Sequence, residues 1–280
     1  MPTATRIAVT GALGNVGSVV VGHLRGRGYD VVEIDRAPSI DSHRSSFVSA
    51  DLTSFDDTIR ALRGADTVVH LAGINAPIHE PAWRVHNNNV TASYNVLSAA
   101  VELGITRVVQ SSSVNAIGLA WSRSPEFDYF PIDTFHRSRV EDPYSLSKVV
   151  QELQADSLAR RYDTFTAVSL RLHAVLHDAE EGRKLRQRLG DGWAINGLFG
   201  YCTYESVVSA VELSCFAPVE GHQVLLVVEP ETFVLEPSAQ LAETHFPEVP
   251  VLSPFVGHSG FFDTTLTRRI LGWRPSTDPS

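Results

Sequence analysis

The chain has 280 residues, with 23 Lys and Arg against 32 Asp and Glu for a formal net charge of −9, and 43% hydrophobic and 20% charged residues. A chain of this make-up buries roughly three quarters of its unfolded surface. Its acidic balance argues against a nucleic-acid binder, and no apolar run approaches the ~20 residues of a membrane helix. Two cysteines, Cys202 and Cys215, exclude a disulfide framework and a zinc ribbon. Met1-Pro2-Thr3-Ala4-Thr5-Arg6 leads into a strand-like segment without a signal-peptide core, so a cytoplasmic enzyme is the starting expectation.

Short β-branched runs alternate with amphipathic stretches along the first half. Arg6 to Thr10 reads as a buried strand, then a glycine turn and a helix from about Asn15 to Arg27. Strands are expected at Val31 to Ile34, Ser46 to Ala50, Thr67 to Leu71, Thr106 to Ser111 and Phe165 to Leu172. Helices are expected at Asp57 to Arg63, Trp83 to Leu103, and from Asp142-Pro143 to about Tyr162. This spacing predicts a doubly wound α/β architecture around a parallel sheet. After Leu172 the rhythm weakens: helices at Arg183 to Leu189, Tyr204 to Phe216 and Thr264 to Leu271, and a strand at Gln223 to Val228. Residues 1–172 are expected to form the dinucleotide-binding part. Residues 173–280 complete the sheet and form a small C-terminal substrate lobe over the carboxyl ends of the strands, within one compact domain.

Thr10-Gly11-Ala12-Leu13-Gly14-Asn15-Val16-Gly17 follows the first strand and opens the first helix. Glycines let a pyrophosphate approach the backbone there, and the helix N-terminus supplies free N–H groups and partial positive charge. A plain tight turn would use the same glycines. Asp35, 18 residues past Gly17 at the end of the second strand, tips the balance, because a carboxylate there takes ribose hydroxyls. That favours NAD; the adjacent Arg36 could instead attract a 2′-phosphate, leaving NADP open. Asp51 and Leu52 could line the adenine, and Leu71, Ala72 and Gly73 let backbone pass close to the cofactor.

Tyr144 and Lys148 lie four apart behind an expected Asp142 cap and Pro143, so they share a helix face. A free phenol, with a pKa near 10, is a poor base at neutral pH. A nearby ammonium, an oxidised nicotinamide ring and the helix N-terminus would all favour phenolate. A third hydroxyl would come from Ser111-Ser112-Ser113; alternation puts Ser111 and Ser113 on one face, which favours Ser113 with Ser112 as rival.

Read together, these motifs resemble an extended short-chain dehydrogenase/reductase of the NAD-dependent epimerase/dehydratase family. The resemblance is carried by Thr10-Gly11-x-x-Gly14-x-x-Gly17, Asp35, Asp51-Leu52, His70-Leu71-Ala72-Gly73, Asn89-Val90 and Asn95-Val96-Leu97. It continues through Ser111-Ser112-Ser113, Tyr144-x-x-x-Lys148, Leu170-Arg171 and Leu271-Gly272-Trp273-Arg274-Pro275. It implies a Rossmann-type sheet, Tyr144 as acid/base, Lys148 lowering its pKa and holding the nicotinamide ribose, and Ser113 orienting the substrate oxygen. Asn89 would support the lysine. A homodimer packed through the two long helices is expected from relatives.

Departures narrow the expectation. Only 34 positions separate Arg171 from Glu205, too few for the insert that holds a sugar nucleotide in the family. Val114-Asn115 stands where dehydratases carry an acidic pair. The short build most resembles uronate dehydrogenases, which oxidise a free sugar acid. Candidate substrate contacts are Asn75, Ser112, Ser113, Asn115, Tyr144, His173 and Arg183, the last as a clamp for a carboxylate. Trp121, Phe127, Tyr129 and Phe130 suggest an ordered flap over the pocket. For His173 a backbone-satisfied role competes, and for Arg183 a solvated helix face. His173 and His177 follow a strand and lack a third ligand, so no metal is expected. The reading is an NAD(P)-dependent oxidoreductase acting on a small polar alcohol or carbonyl substrate. The rivals are an epimerase on retained NAD and a non-catalytic dinucleotide sensor.

Overall fold

The computed structural model describes residues 5–37, 46–78 and 80–278. Met1-Pro2-Thr3-Ala4, read above as leading into the first strand, lies outside them. Seven parallel strands form the main sheet: β1 (Arg6–Thr10), β2 (Asp30–Asp35), β3 (Phe47–Ser49), β4 (Thr67–His70), β5 (Arg107–Ser113), β6 (Thr166–Leu172) and, late in the chain, the strand His222–Val227. Two two-residue strands fall between the last two, β7 (Val175–Leu176) and β8 (Cys202–Thr203). They pair with each other, and His222–Val227 is therefore β9. The order in the sheet is β3-β2-β1-β4-β5-β6-β9. The order reverses between β1 and β4, and in such sheets ligands enter the crevice at that reversal.

Period-two alternation distributes the strands' side chains to two helical layers. Ile7, Val9, Val69, Val109 and Val168 face α1 (Asn15–Gly26), α7 (Tyr204–Phe216) and α9 (Thr265–Leu271). Ala8, Val68, Val108 and Ala167 face α2 (Phe55–Leu62), α3 (Ala82–Glu102) and α4 (Pro143–Arg161). The predicted strands and helices up to Leu172 are all present, with ends moved by one or two residues. The shift that matters is in β5, which was expected to stop at Ser111. It continues to Ser113 because Ser112 and Ser113 pair with Arg171 and Leu172 of β6.

A third apolar cluster holds α5 (Ala179–Leu189), α6 (Asp191–Asn196), α8 (Ser238–His245) and the segment 114–142 together. Phe130 packs edge-on against Phe246 (5.5 Å) and Phe261 (5.0 Å), and Phe127 also meets Phe246. Two of the aromatics expected to form a flap, Phe127 and Phe130, are therefore core of this lobe. Of the four, Trp121 alone lines the cavity described below. β9 completes the sheet beside β6, so the late part of the chain is built into the sheet as well as standing over it.

The chain end is pinned by Trp273, fully buried, whose Nε1–H donates to Ser206 O at 3.0 Å. Next to it Glu229 accepts from Thr203, Ser206 and Thr277, so one buried carboxylate joins β8, α7 and the tail. Trp273→Ala should cost about 3–5 kcal/mol, the range for truncating a buried aromatic, measured by chemical denaturation; a loss below 1 kcal/mol would show that the tail does not clamp α7.

Candidate active site

The glycine-rich turn meets the steric demands of a phosphate cradle. Gly11 has φ +68°, and a Cβ there would lie 2.7 Å from Ala72 N. At Gly17 a Cβ would lie 2.0 Å from Gly11 O, so only glycine lets α1 dock against the turn. Helix α1 starts at Gly14 with no side-chain cap and no acidic residue in its first turn. Its first N–H groups and positive dipole end are thus available to an anion. Asp35 stands at the end of β2, one carboxylate oxygen accepting from Leu13 N–H (3.0 Å) and the other from Arg36 N–H (2.8 Å). These bonds fix the carboxylate beside the crevice.

Two adjoining cavities occupy this edge. The smaller, about 220 Å³, is lined by Gly11, Gly14, Asp35, Arg36, Asp51, Leu52, Leu71, Ala72 and Gly73. Asp51 is held by Thr53, whose N–H and hydroxyl both donate to it and keep its carboxyl below the ordinary range. The larger, about 330 Å³, shares Leu71 and adds Asn15, Val16, Asn75, Ser113, Asn115 and Tyr144. Every residue expected at the cofactor borders one of the two cavities except Leu13, Gly17 and Lys148: the first two act through the Asp35 bond and the helix docking, and Lys148 lies behind Tyr144. The residues fit a dinucleotide: a bare-backbone cradle for pyrophosphate, a carboxylate where ribose hydroxyls would lie, and Tyr144 at the far end.

Helix α4 carries the chemistry. Asp142 accepts from the N–H groups of Tyr144 and Ser145, both at 2.9 Å, and Pro143 takes the first turn, as the spacing predicts. Tyr144 and Lys148 are both buried, with Nζ 5.7 Å from the centre of the phenol ring. Nζ donates to Ser111 O (2.6 Å) and Gln151 Oε1 (3.2 Å). Ser113 Oγ accepts from Asn115 through its N–H (3.1 Å) and its amide (3.3 Å), and its hydroxyl is close enough to the Tyr144 phenol to favour the ionised form. Ser113, not Ser112, therefore stands with the tyrosine.

The expected acidic phenol includes the charge of an oxidised nicotinamide ring, and without nucleotide the phenol is shifted the other way. Burial pushes Tyr144 up to about 12; the Ser113 hydrogen bond opposes this and Asp142 adds to it. Burial also lowers Lys148 to about 8, against the opposing pull of Glu152. In a site this dry both groups tend towards neutrality.

Several substrate-side expectations change. Ser112 donates to Glu152 Oε1 (2.5 Å), inside a buried pair that Glu152 makes with Arg171 through two bonds of 2.9 and 2.8 Å. Its hydroxyl belongs to that network. His173 borders the cavity, but Nε2–H donates to Gly197 O (2.8 Å) and Nδ1 accepts from Ala174 N–H (2.7 Å). Burial lowers its pKa to about 4, so it is a neutral wall, the backbone-satisfied case. Arg183 does not line the cavity. Its guanidinium binds Glu180 through two nitrogens and Phe233 O through the third. Asn115 serves Ser113 and also accepts from Ala120 N–H (2.9 Å). Asn89 bridges Ile74, at both its N–H and its carbonyl, to Ser147. It steadies the loop after β4 against α4, while Ser111 and Gln151 hold the lysine. Trp193, Phe233, Tyr204 and Gly200 also line the cavity and were not foreseen. Trp193 lies on a six-residue helix that begins at a glycine and shows no apolar period. Among the described residues, no group of three or more His, Cys, Asp or Glu could hold a metal ion.

This arrangement defines a dinucleotide-binding site of the doubly wound class with a tyrosine and a lysine at its reactive end. Residues 7–182 match the NAD dependent epimerase/dehydratase family, and the chain belongs to it. It is 31% identical over 178 residues to an NAD-dependent glucose-6-phosphate dehydrogenase of Haloferax volcanii, covering 59% of this chain and 65% of that one, just under two thirds of its length. It is 25% identical over 225 residues to a uronate dehydrogenase of Pseudomonas syringae pv. tomato, covering 79% and 73%. The crystal structure of uronate dehydrogenase from Agrobacterium tumefaciens superposes with TM-score 0.71 at 19% identity, over 98% of this chain and 85% of that one, so the fold is shared.

With burial raising its pKa to about 12, Tyr144 should stay protonated to above pH 10 in the protein without nucleotide. The difference between wild-type and Tyr144→Phe absorbance near 295 nm, followed through an alkaline titration, checks this. A step near pH 7 would contradict it.

Proposed function

We propose that this protein is an NAD-dependent oxidoreductase that interconverts a secondary alcohol or hemiacetal and the matching carbonyl on a small, sugar-like substrate. The observation that carries the reading is the grouping of Ser113, fixed by Asn115, with Tyr144 on the wall of the cavity that adjoins the glycine cradle. NAD bound there would supply the hydride acceptor and, in its oxidised form, a positive charge that favours phenolate. Tyr144 takes the hydroxyl proton of the substrate, or returns it to a carbonyl in the reverse direction. Ser113, held through its oxygen by Asn115, turns its one proton from the phenol to the substrate oxygen when substrate enters. Lys148, held by Ser111 O and Gln151, keeps an ammonium within 5.7 Å of the phenol ring and has further N–H capacity for a ribose hydroxyl. Asp35 binds the adenosine ribose and disfavours a 2′-phosphate, with Arg36 the one local residue working for NADP. Residues 173–280 serve as the substrate lobe.

The fold also hosts epimerases, and a UDP-glucose 4-epimerase of Bacillus subtilis is among the relatives, 27% identical over 161 residues. Net reduction of NAD separates the two activities, because an epimerase returns the hydride. Support for a cytoplasmic setting comes from two buried, unpaired thiols, Cys202 and Cys215. No helix among the described residues is long and apolar enough to cross a membrane.

Tyr144→Phe should lower kcat by at least about a hundredfold while leaving NAD affinity intact, in line with loss of a general acid/base. Ser113→Ala should lose turnover by a similar order, and Ser112→Ala should lose stability with turnover largely kept. Steady-state kinetics and calorimetric NAD titration check all three, and an unchanged rate in Tyr144→Phe would end the proposal.

A homodimer formed through α3 and α4 is proposed from the exposed apolar side chains there, Tyr94, Leu146 and Leu153, the last two a heptad apart. Leu153→Arg should convert the dimer to a monomer in light scattering after gel filtration; a wild-type chain that runs as a monomer would refute the interface.

A further inference from the structure

The reactive cavity carries no formal charge. Among the described residues that line it there is no Lys, Arg, Asp or Glu, and its one histidine is neutral with both ring nitrogens engaged by backbone. Three cations close to its walls are committed elsewhere, while Arg123 and Arg188 are exposed and do not line it. Lys148 lies against Ser111 O and Gln151, Arg171 is paired with Glu152, and Arg183 is held by Glu180 and the carbonyl of Phe233. A carboxylate or phosphate brought into this space would find no charged side chain on the walls to offset its desolvation, and burying a charge is costly unless it is paired.

The walls also have a shape. Trp193 stacks on Phe233 with ring centres 5.8 Å apart and planes 27° from parallel. Trp121 comes from the segment after β5, and Val114, Leu119 and Val175 fill in between. Hydroxyl and phenol groups concentrate where Ser113 and Tyr144 stand, and Asn75 is exposed. Flat apolar walls with polar anchors at one end suit a ring that offers an apolar face and a single reacting hydroxyl.

We infer that the substrate is an uncharged ring compound bearing a secondary hydroxyl or hemiacetal and an apolar face, and that a carboxylate or phosphate on the same ring is selected against. This rests on the dehydrogenase reading and departs from the sugar-acid expectation. The shared chemistry could come from a neutral monosaccharide, through its C–H face, or from an alicyclic alcohol.

The test uses the full chain with NAD and a matched panel: neutral aldoses, the corresponding uronic acids and 6-phosphates, and alicyclic secondary alcohols. Turnover is read as NADH absorbance and binding as thermal shift in the presence of NAD. The expected result is a kcat/KM at least tenfold higher for an uncharged compound than for its matched acid, with the aldose and alicyclic arms deciding between the two sources. An acid or phosphate used as well as its neutral partner overturns the inference and leaves the dehydrogenase reading standing. Neutral compounds that bind while NAD stays oxidised overturn the dehydrogenase reading and leave the ligand class standing. Absence of both binding and turnover by the uncharged members overturns the inference. Asn75→Arg, which places a cation at an exposed position bordering the cavity, should raise the ratio of acid to neutral use at least tenfold, and an unmoved ratio would show that the missing cation is not the cause.

Discussion

The buried pair between Glu152 and Arg171 fixes where the chemistry happens. Glu152 lies on α4, two turns below Tyr144 and one below Lys148, and Arg171 lies on β6; their two parallel bonds admit a single orientation. Ser112 of β5 donates into the same carboxylate, and Arg171 reaches on to Thr134 O in the segment ahead of α4. Four pieces of chain meet at this one ion pair. An isolated buried charge would be expensive, but here every donor of the network has an acceptor within reach, so removing either partner would strand the other. Because the pair is rigid, the face of α4 that carries Tyr144 and Lys148 is set against the end of β5, where Ser113 waits.

The same region explains why three adjacent serines have three different fates. Along β5, Ser112 points to the α4 layer and enters the ion-pair network, as Gln110 two residues earlier binds Gln151 O and Ser169. Ser111 contributes its carbonyl to Lys148, and Ser113 its hydroxyl to the reactive group. Strand alternation is enough to separate Ser112 from Ser113 in the sequence. What alternation does not reveal is that β5 runs two residues further than its β-branched stretch, since that extension depends on pairing with β6.

The nucleotide end was legible because its signals are local. A glycine with positive φ, an uncapped helix start and a carboxylate at a strand end all follow from residues close in sequence. The Asp142 cap and the four-residue spacing on α4 were legible for the same reason. The substrate end was not. Its walls come from Trp121, Trp193, Tyr204 and Phe233, brought together by a lobe whose helix α6 has six residues and whose strands β7 and β8 have two each. His173 and Arg183 looked available because their side chains can bind substrates. Backbone carbonyls and a neighbouring glutamate, which no sequence pattern marks, had already taken them. Asn89 bonds Ile74 and, on α4, Ser147 next to the lysine, contacts that its place in the sequence does not specify.

Burial has two opposite consequences for the reacting group. It excludes water from Tyr144 and Lys148, which strengthens each hydrogen bond between them and their neighbours. It also drives the phenol up to about 12 and the ammonium down to about 8, so the protonated phenol is the resting state. Positive charge entering the crevice would favour loss of that proton, and the uncapped start of α1 is the feature that would draw the anionic half of a dinucleotide there. The walls complete the logic. The walls that keep water from Tyr144 also present no charged side chain to a substrate, so the dryness that raises the phenol and the neutrality of the cavity lining come from the same packing.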